Sequence, residues 1–255
     1  MRDPWEHLRG FTNARIALGR AGGSLPTRPL LDFRLSHARA KDAVLAEFEP
    51  EKLAALLAPL GQEVMLLDSQ APDRATYLRR PDLGRCLAME SRRFLKQGAP
   101  DLAIVLSDGL STLAVMEQAL PLLTALLPLL NGWSLAPLCI VRHGRVAVQD
   151  EIGGRLGAKI SLMLLGERPG LGSPDSLGAY FTFGPQVGKT DADRNCVSNI
   201  RREGLPPALA ARKLHALLAT SLRLGLSGIA LKDDTPLLDD FPLAPAIGAA
   251  KTAPP

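Results

Sequence analysis

The sequence predicts an α/β protein: a Rossmann-like, doubly wound, mostly parallel sheet with an N-terminal helical arm. Three observations carry that expectation. Short, almost wholly apolar runs at Asp101–Leu106, Leu138–Val141 and Lys159–Leu165 alternate with longer helix-patterned segments, as expected of strands covered on both faces. Each run ends in a turn rich in glycine, serine or charge: Ser107-Asp108-Gly109, Arg142-His143-Gly144-Arg145 and Gly166 to Gly172. At 46% hydrophobic over 255 residues the chain can bury a large core, and with only 4% aromatic residues Leu, Ala and Val must fill it.

In chain order, Asp3-Pro4 reads as a helix start, with Trp5, Leu8, Phe11, Ile16 and Leu18 on roughly one face. Ala21 to Pro26 breaks that arm. A second helix is expected from Thr27 to about Phe48, its apolar stripe formed by Leu30, Leu31, Phe33, Leu35, Ala38, Val44 and Leu45. Its charged flank (Arg34, His37, Arg39, Lys41, Asp42) reads as a solvated face, with docking on another subunit as the sharper alternative. Glu51–Leu60 reads as a short helix, Glu63–Asp68 as a strand, and Thr76–Gly84 as a turn barred from helix by Pro81. A helix is expected over 82–97, stopped at Gly98. After the Asp101–Leu106 strand, Ser111 and Thr112 cap an apolar helix. Its run Leu113–Leu130, interrupted by Glu117, Pro121 and Pro128, reads as buried rather than membrane-spanning. Ala179–Phe183 adds a strand, residues 190–199 lead into a helix-like stretch capped by Asp191 or Asp193, and Pro206-Pro207 opens a helix to about Leu224. The expected organisation is an arm with lead-in helices over 1–98, a Rossmann-like body over 99–230 and a poorly ordered Pro/Ala-rich tail over 231–255.

Composition excludes several functions. The net charge of +4 is small and dispersed, which argues against nucleic acid and suits an acidic protein or a phosphate-bearing ligand. Cys86, Cys139 and Cys196 are odd in number and share no CxxC spacing, so neither a disulfide framework nor a metal site is expected. The first residues hold no apolar h-region, so a cytoplasmic protein is expected.

Three loops are candidates for chemistry. In Ser107–Thr112, backbone N–H groups favour an anion or amide carbonyl, and Asp108 can accept from a ligand; a plainly capped βα turn is the bland alternative. In Arg142–Val146, two guanidiniums and an imidazole offer a grip on phosphate, although His143 reads best as a packing histidine. Glu167, within Gly166–Gly172, stands at a carboxyl strand end, where open α/β sheets bind ligands; a surface ion pair with Arg168 is the competing reading. Cys196 lacks any base in its pattern and reads as a small residue whose backbone matters. No acid–base pair, nucleophile elbow or metal cluster is visible, so no catalytic residue is expected. The residues describe a binding subunit for a large polar ligand.

The stretches TRPLLDFRLSHARAKDAVL, YLRRPDLGRCL, VLSDGLSTLAV, VRHGRVAVQDEIG, LGAKISLMLLGERPGLG and DADRNCVSNIRREG, lying within residues 27–204 of a match that spans roughly 28–228, resemble the small (light) chain of adenosylcobalamin-dependent ethanolamine ammonia-lyase. The resemblance implies deamination of ethanolamine to acetaldehyde and ammonia by radical chemistry. It implies a large-subunit partner carrying the substrate site, with this chain forming one wall around the cobalamin and inactive alone. Carried over by position, the cofactor contacts fall on Val146 in GRVAV, Glu167 in GERPG and Cys196 in DRNCVSN. Arg145, beside Val146, is our own addition as a partner for the nucleotide phosphate. The DxHxxG pattern of base-off cobalamin proteins is absent, so a base-on cofactor is implied. Small chains from microcompartment-forming bacteria carry a longer N-terminal extension, so the cytoplasm is the expected location, with a bacterial microcompartment the alternative. A non-catalytic nucleotide- or phosphate-binding module, or a pure assembly subunit, remains the competing reading.

Overall fold

The computed structural model describes residues 3–12 and 14–233. Its apolar runs become the strands β1 (Val64–Asp68), β2 (Leu102–Ser107), β3 (Leu138–Arg142) and β4 (Ile160–Gly166), followed by β5 (Leu177–Phe183) and β6 (Arg194–Ile200). They form one six-stranded sheet in the order β1-β3-β2-β4-β5-β6. The pairings among β1, β3, β2 and β4 are parallel, whereas β5 and β6 add on antiparallel. The α/β class is as expected, but this order differs from the 3-2-1-4-5-6 of dinucleotide-binding sheets. Val64–Asp68, from the first 98 residues, belongs to the same sheet as the later strands.

Period-two alternation divides the core. Leu102, Ile104 and Leu106 face one layer, and Ala103 and Val105 face the other. The first layer holds α2 (Pro50–Leu57), α5 (Thr112–Leu126) and α7 (Pro207–Leu224), which supply Leu53, Leu122 and Leu214 among others. The second holds α6 (Val148–Leu156), through Val148, Ile152 and Leu156. Residues 112–130 are long and apolar enough to cross a membrane by length and composition. In the fold, Ala114, Val115, Leu122 and Leu126 of this segment are buried in the core. Ser111 caps α5 as expected, accepting from the Ala114 N–H at 3.1 Å. Gly157, at φ +69°, closes α6 in the left-handed conformation that favours glycine.

Four local expectations are corrected. The arm forms only a 3-10 turn, Glu6–Gly10. Trp5 (63% exposed) and Phe11 (81%) find no core, and an isolated short helix cannot offset its ordering cost. The main helix that follows, α1 (Thr27–Leu45), has nearly the expected span, but only Ala43 is buried, and Leu31, Phe33, Leu35 and Leu45 of the expected stripe are exposed. The supposed turn at 76–84 begins as a helix, α3 (Arg74–Arg79), because Asp73 accepts from the Thr76 N–H at 2.7 Å. Pro81 follows this helix rather than preventing it. The helix expected over 82–97 shrinks to a 3-10 turn, Leu83–Arg85, and α4 (Met89–Arg92). Between them the chain runs extended against the end of β1: Ala88 N–H donates to the Asp68 carbonyl at 2.9 Å, and Gln70 N–H to that of Cys86 at 2.9 Å. Residues 194–200 form β6 rather than a polar lead-in to a helix, and Asp193 instead makes a capping box with Thr190 on the preceding 3-10 turn. Of the expected disordered tail, residues 234–255 lie outside the described residues.

The carboxyl ends of β2 and β4 meet backbone to backbone. Leu110 N–H donates to the Gly166 carbonyl at 2.9 Å. A Cβ on Gly166 would lie 2.1 Å from the Ser111 carbonyl oxygen, and one on Gly109 (φ +55°) 2.2 Å from that of Gly166. Gly166→Ala is therefore expected to destabilise the fold by about 1–3 kcal/mol. The check is a lower urea-unfolding midpoint than in Gly172→Ala, where an added Cβ meets nothing within 4 Å.

Candidate functional site

The loops after β2, β3 and β4 are held together by one buried carboxylate. Asp108 is fully buried. Its Oδ2 accepts from Arg74 Nη1 at 2.6 Å and lies 3.2 Å from His143 Nδ1. Its Oδ1 accepts from the His143 N–H at 2.8 Å and the Ser107 hydroxyl at 3.0 Å. Asp108 is thus satisfied from within the protein and is not the ligand acceptor considered from sequence. His143 is buried and takes φ +58°, a turn after which Arg145 and Val146 reach the surface. The packing reading of His143 holds. Arg142 pairs with Glu51 and Asp68, so of the three basic residues in this turn only Arg145 reaches the cavities described next.

Two adjoining cavities open along this edge and share Arg145 and Leu165. The first, of about 370 Å³, is lined by Tyr77, Arg145, Leu165, Glu167, Arg168 and Tyr180. The second, of about 480 Å³, lies beside the start of α6 and is lined by Arg85, Arg145, Val146, Leu165, Lys189 and Arg194. The Arg145 guanidinium sits 4.2 Å from the centre of the Tyr77 ring and donates to the Tyr77 carbonyl at 3.2 Å. Its Nε is buried without a hydrogen-bond partner among the described residues. Burial, and then the Asp108 carboxylate, push the Tyr77 phenol up, so it stays protonated and donates to the Gly144 carbonyl at 3.2 Å.

Glu167 is half-buried and forms no ion pair with Arg168 among the described residues. Its Oε2 accepts from the Ser176 hydroxyl at 2.5 Å and the Asn199 N–H at 3.2 Å. These bonds fix the side chain through one oxygen and leave Oε1 as its available acceptor. Cys196 stands directly across from Tyr180 in the β5–β6 register, so the two side chains share a face. The Tyr180 phenol and the thiol interact, and loss of hydration raises both groups. The Cys196 thiol is pushed up to about 11, by desolvation first and then by Glu167, although the residue as a whole is exposed.

The four residues singled out from sequence thus come from three separate loops and strands onto one surface. Arg145, Val146 and Glu167 line its cavities, and Cys196 stands across from Tyr180 on the neighbouring strand. Sequence reasoning missed Tyr77, Tyr180, Arg85, Lys189 and Arg194. Tyr180 was within reach, because it alternates with the core residues Ala179 and Phe181. Tyr77 and Arg85 arrive from segments whose path depends on the buried Arg74–Asp108 pair. Among the described residues there is no cluster of three or more metal-ligating side chains.

The fold and this edge define an α/β chain with two adjoining cavities at one sheet edge, lined by cationic side chains and by Leu165 and Val146. A family model for the ethanolamine ammonia-lyase light chain matches residues 2–232. An ethanolamine ammonia-lyase small subunit from Azotobacter vinelandii is 56% identical over 240 residues, covering 91% of this chain and 89% of the relative. One from Pseudomonas fluorescens is 52% identical over 240 residues (91% and 87%), and one from Ralstonia nicotianae 52% over 248 (93% and 92%). The chain belongs to the ethanolamine ammonia-lyase light-chain family.

Cys196 gives a pH test of this geometry. A thiol raised to about 11 is neutral at pH 7, and only the thiolate reacts quickly. Alkylation of Cys196 by iodoacetamide, followed by peptide mass spectrometry, is expected to be slow at pH 7 and to accelerate as the pH climbs toward about 11. An ordinary thiol would level off near pH ~8.5.

Proposed function

We propose that this chain is the small subunit of an ethanolamine ammonia-lyase, forming one wall of an adenosylcobalamin site closed by the large subunit. The observation that carries this reading is the convergence of Arg145, Val146 and Glu167 on adjoining cavities, with Cys196 paired to a lining tyrosine.

The donor set suits a corrin bordered by amide arms. Glu167 offers Oε1 to amide N–H groups while Ser176 and Asn199 hold its other oxygen. Leu165 and Val146 give the floor apolar surface for a flat macrocycle. Arg145 brings an unspent, buried Nε and a guanidinium already desolvated on one side by Tyr77. Cys196 contributes backbone and bulk, since its thiol is neutral at physiological pH.

When bound, adenosylcobalamin supplies the radical chemistry that turns ethanolamine into acetaldehyde and ammonia. The residues of this chain hold and orient the cofactor and exclude water from one side of it. Neither cavity pairs an acid with a base suited to proton transfer on a substrate. In this reading the substrate site falls to the large subunit, and this chain is inactive alone.

Two outcomes test the reading. The purified chain should release no ammonia from ethanolamine, and release should appear when the large subunit and adenosylcobalamin are added. Glu167→Gln keeps the shape and removes the charge, so cobalamin affinity of the two-chain complex should fall by about 1–3 kcal/mol. Unchanged affinity, measured by equilibrium dialysis, would reduce the chain to an assembly role.

A further inference from the structure

We infer that the second cavity, walled by Arg85, Arg145, Lys189 and Arg194 beside the start of α6, is an anion subsite for a phosphate ester. The inference rests on the cobalamin reading and names the group involved: the phosphodiester joining the cofactor's nucleotide tail to the corrin. Free phosphate or a nucleotide offers the same chemistry.

Charge is the first argument. Four cationic side chains line this cavity, against one carboxylate, Asp191. Asp191 is taken by Arg194 at 3.2 Å. Arg194 is further committed to Asp150 and to the Lys189 carbonyl. Lys189 shares its ammonium with Asp193 at 3.5 Å and stays partly exposed. Arg85 and Arg145 make no ion pair among the described residues. Two guanidiniums therefore face the cavity uncompensated, and their planar forks match phosphate oxygens.

Unspent donors are the second argument. Arg194 is only 4% exposed at its side chain, yet its Nε has no hydrogen-bond partner among the described residues, and the same holds for the Nε of Arg145. Buried donors without partners are uncommon in native proteins. Two of the seven buried polar side-chain atoms without a partner among the described residues belong to arginines that line this cavity.

The nine-residue helix α6 adds its positive end, with Ala147 at its N-cap on the cavity wall. The acidic residues of its first turn do not cancel this. Asp150 is paired with Arg194, and Glu151 with Arg92 at 2.7 Å and Arg155 at 3.1 Å.

The test uses the full chain assembled with the large subunit and reads binding by equilibrium dialysis. The probes are cyanocobalamin, dicyanocobinamide (a corrinoid without the phosphate and nucleotide) and inorganic phosphate. The variant is Arg85→Ala, chosen because Arg85 is exposed and unpaired. Cyanocobalamin affinity should fall about tenfold, the worth of one charge-assisted hydrogen bond. Cobinamide affinity should stay within about twofold, as for a surface change that touches no contact. Inorganic phosphate should compete with cyanocobalamin and not with cobinamide. Equal losses for the two corrinoids, or no loss for either, would overturn the subsite while leaving the cofactor reading standing. If the unaltered complex binds neither corrinoid, the cofactor reading fails and this source of phosphate fails with it; Arg85-dependent binding of inorganic phosphate would then assign the cavity to a free anion instead.

Discussion

A buried carboxylate with no solvent must be satisfied by the protein, and Asp108 is satisfied from three directions. Arg74 reaches it from α3, His143 from the turn after β3, and Ser107 from the end of its own strand. Arg74 also donates to the carbonyls of Val44 and Gly109, so the same guanidinium ties the end of α1 to the turn after β2. Removing one partner from such a set leaves an uncompensated charge at a cost of about 3–5 kcal/mol, whereas the intact set is self-consistent. The constraint explains how a histidine holds a left-handed backbone conformation. The two hydrogen bonds of its N–H and ring to Asp108 offset the strain. What that turn carries outward is Arg145 and Val146.

The antiparallel extension then decides where a ligand can sit. In an open parallel sheet, the expected crevice lies between strands whose connections leave in opposite directions. Here those strands are β2 and β4, and their ends are closed by the contact of Gly109 and Ser111 with Gly166. The usable surface is displaced sideways, onto the face where β5 and β6 continue beyond the cover of α6. Tyr180 and Cys196 belong to that face, and Leu165 is the last apolar residue of β4 beneath it. One sheet thus supplies both a sealed seam and, beside it, an open floor.

Much of this was legible in the sequence, for identifiable reasons. Runs such as Leu102–Leu106 and Ile160–Leu165 are too short for helices and apolar enough for strands buried on two sides, and Glu167 stood out because it directly follows the end of one at Gly166. What was lost turned on contacts distant in the chain. The arm carried a helical pattern, but Trp5 and Phe11 meet no core, and so short a segment does not hold a helix without packing. Leu87 has the spacing of a helical residue yet is captured in an extended bridge to Ser69. β6 is polar because it forms the sheet edge, buried only at Val197 and Ile200, and a polar edge strand looks like a loop or a capped helix when read alone. Arg85 and Lys189 were unremarkable surface cations until the fold brought them to one hollow.

That hollow and its neighbour are open on the side away from the sheet. A molecule resting there has one flank against Leu165, Tyr180 and Glu167 and the other in solvent. If a second surface closes over it, the two bindings become linked. The free energy by which the ligand tightens the closure equals the free energy by which the closure tightens the ligand, whichever arrives first. Escape of the ligand then requires the surfaces to part, so its residence time is set by their separation rather than by the hydrogen bonds of either wall. A shallow bed built on a rigid sheet edge can in this way retain a ligand that it would hold only loosely by itself.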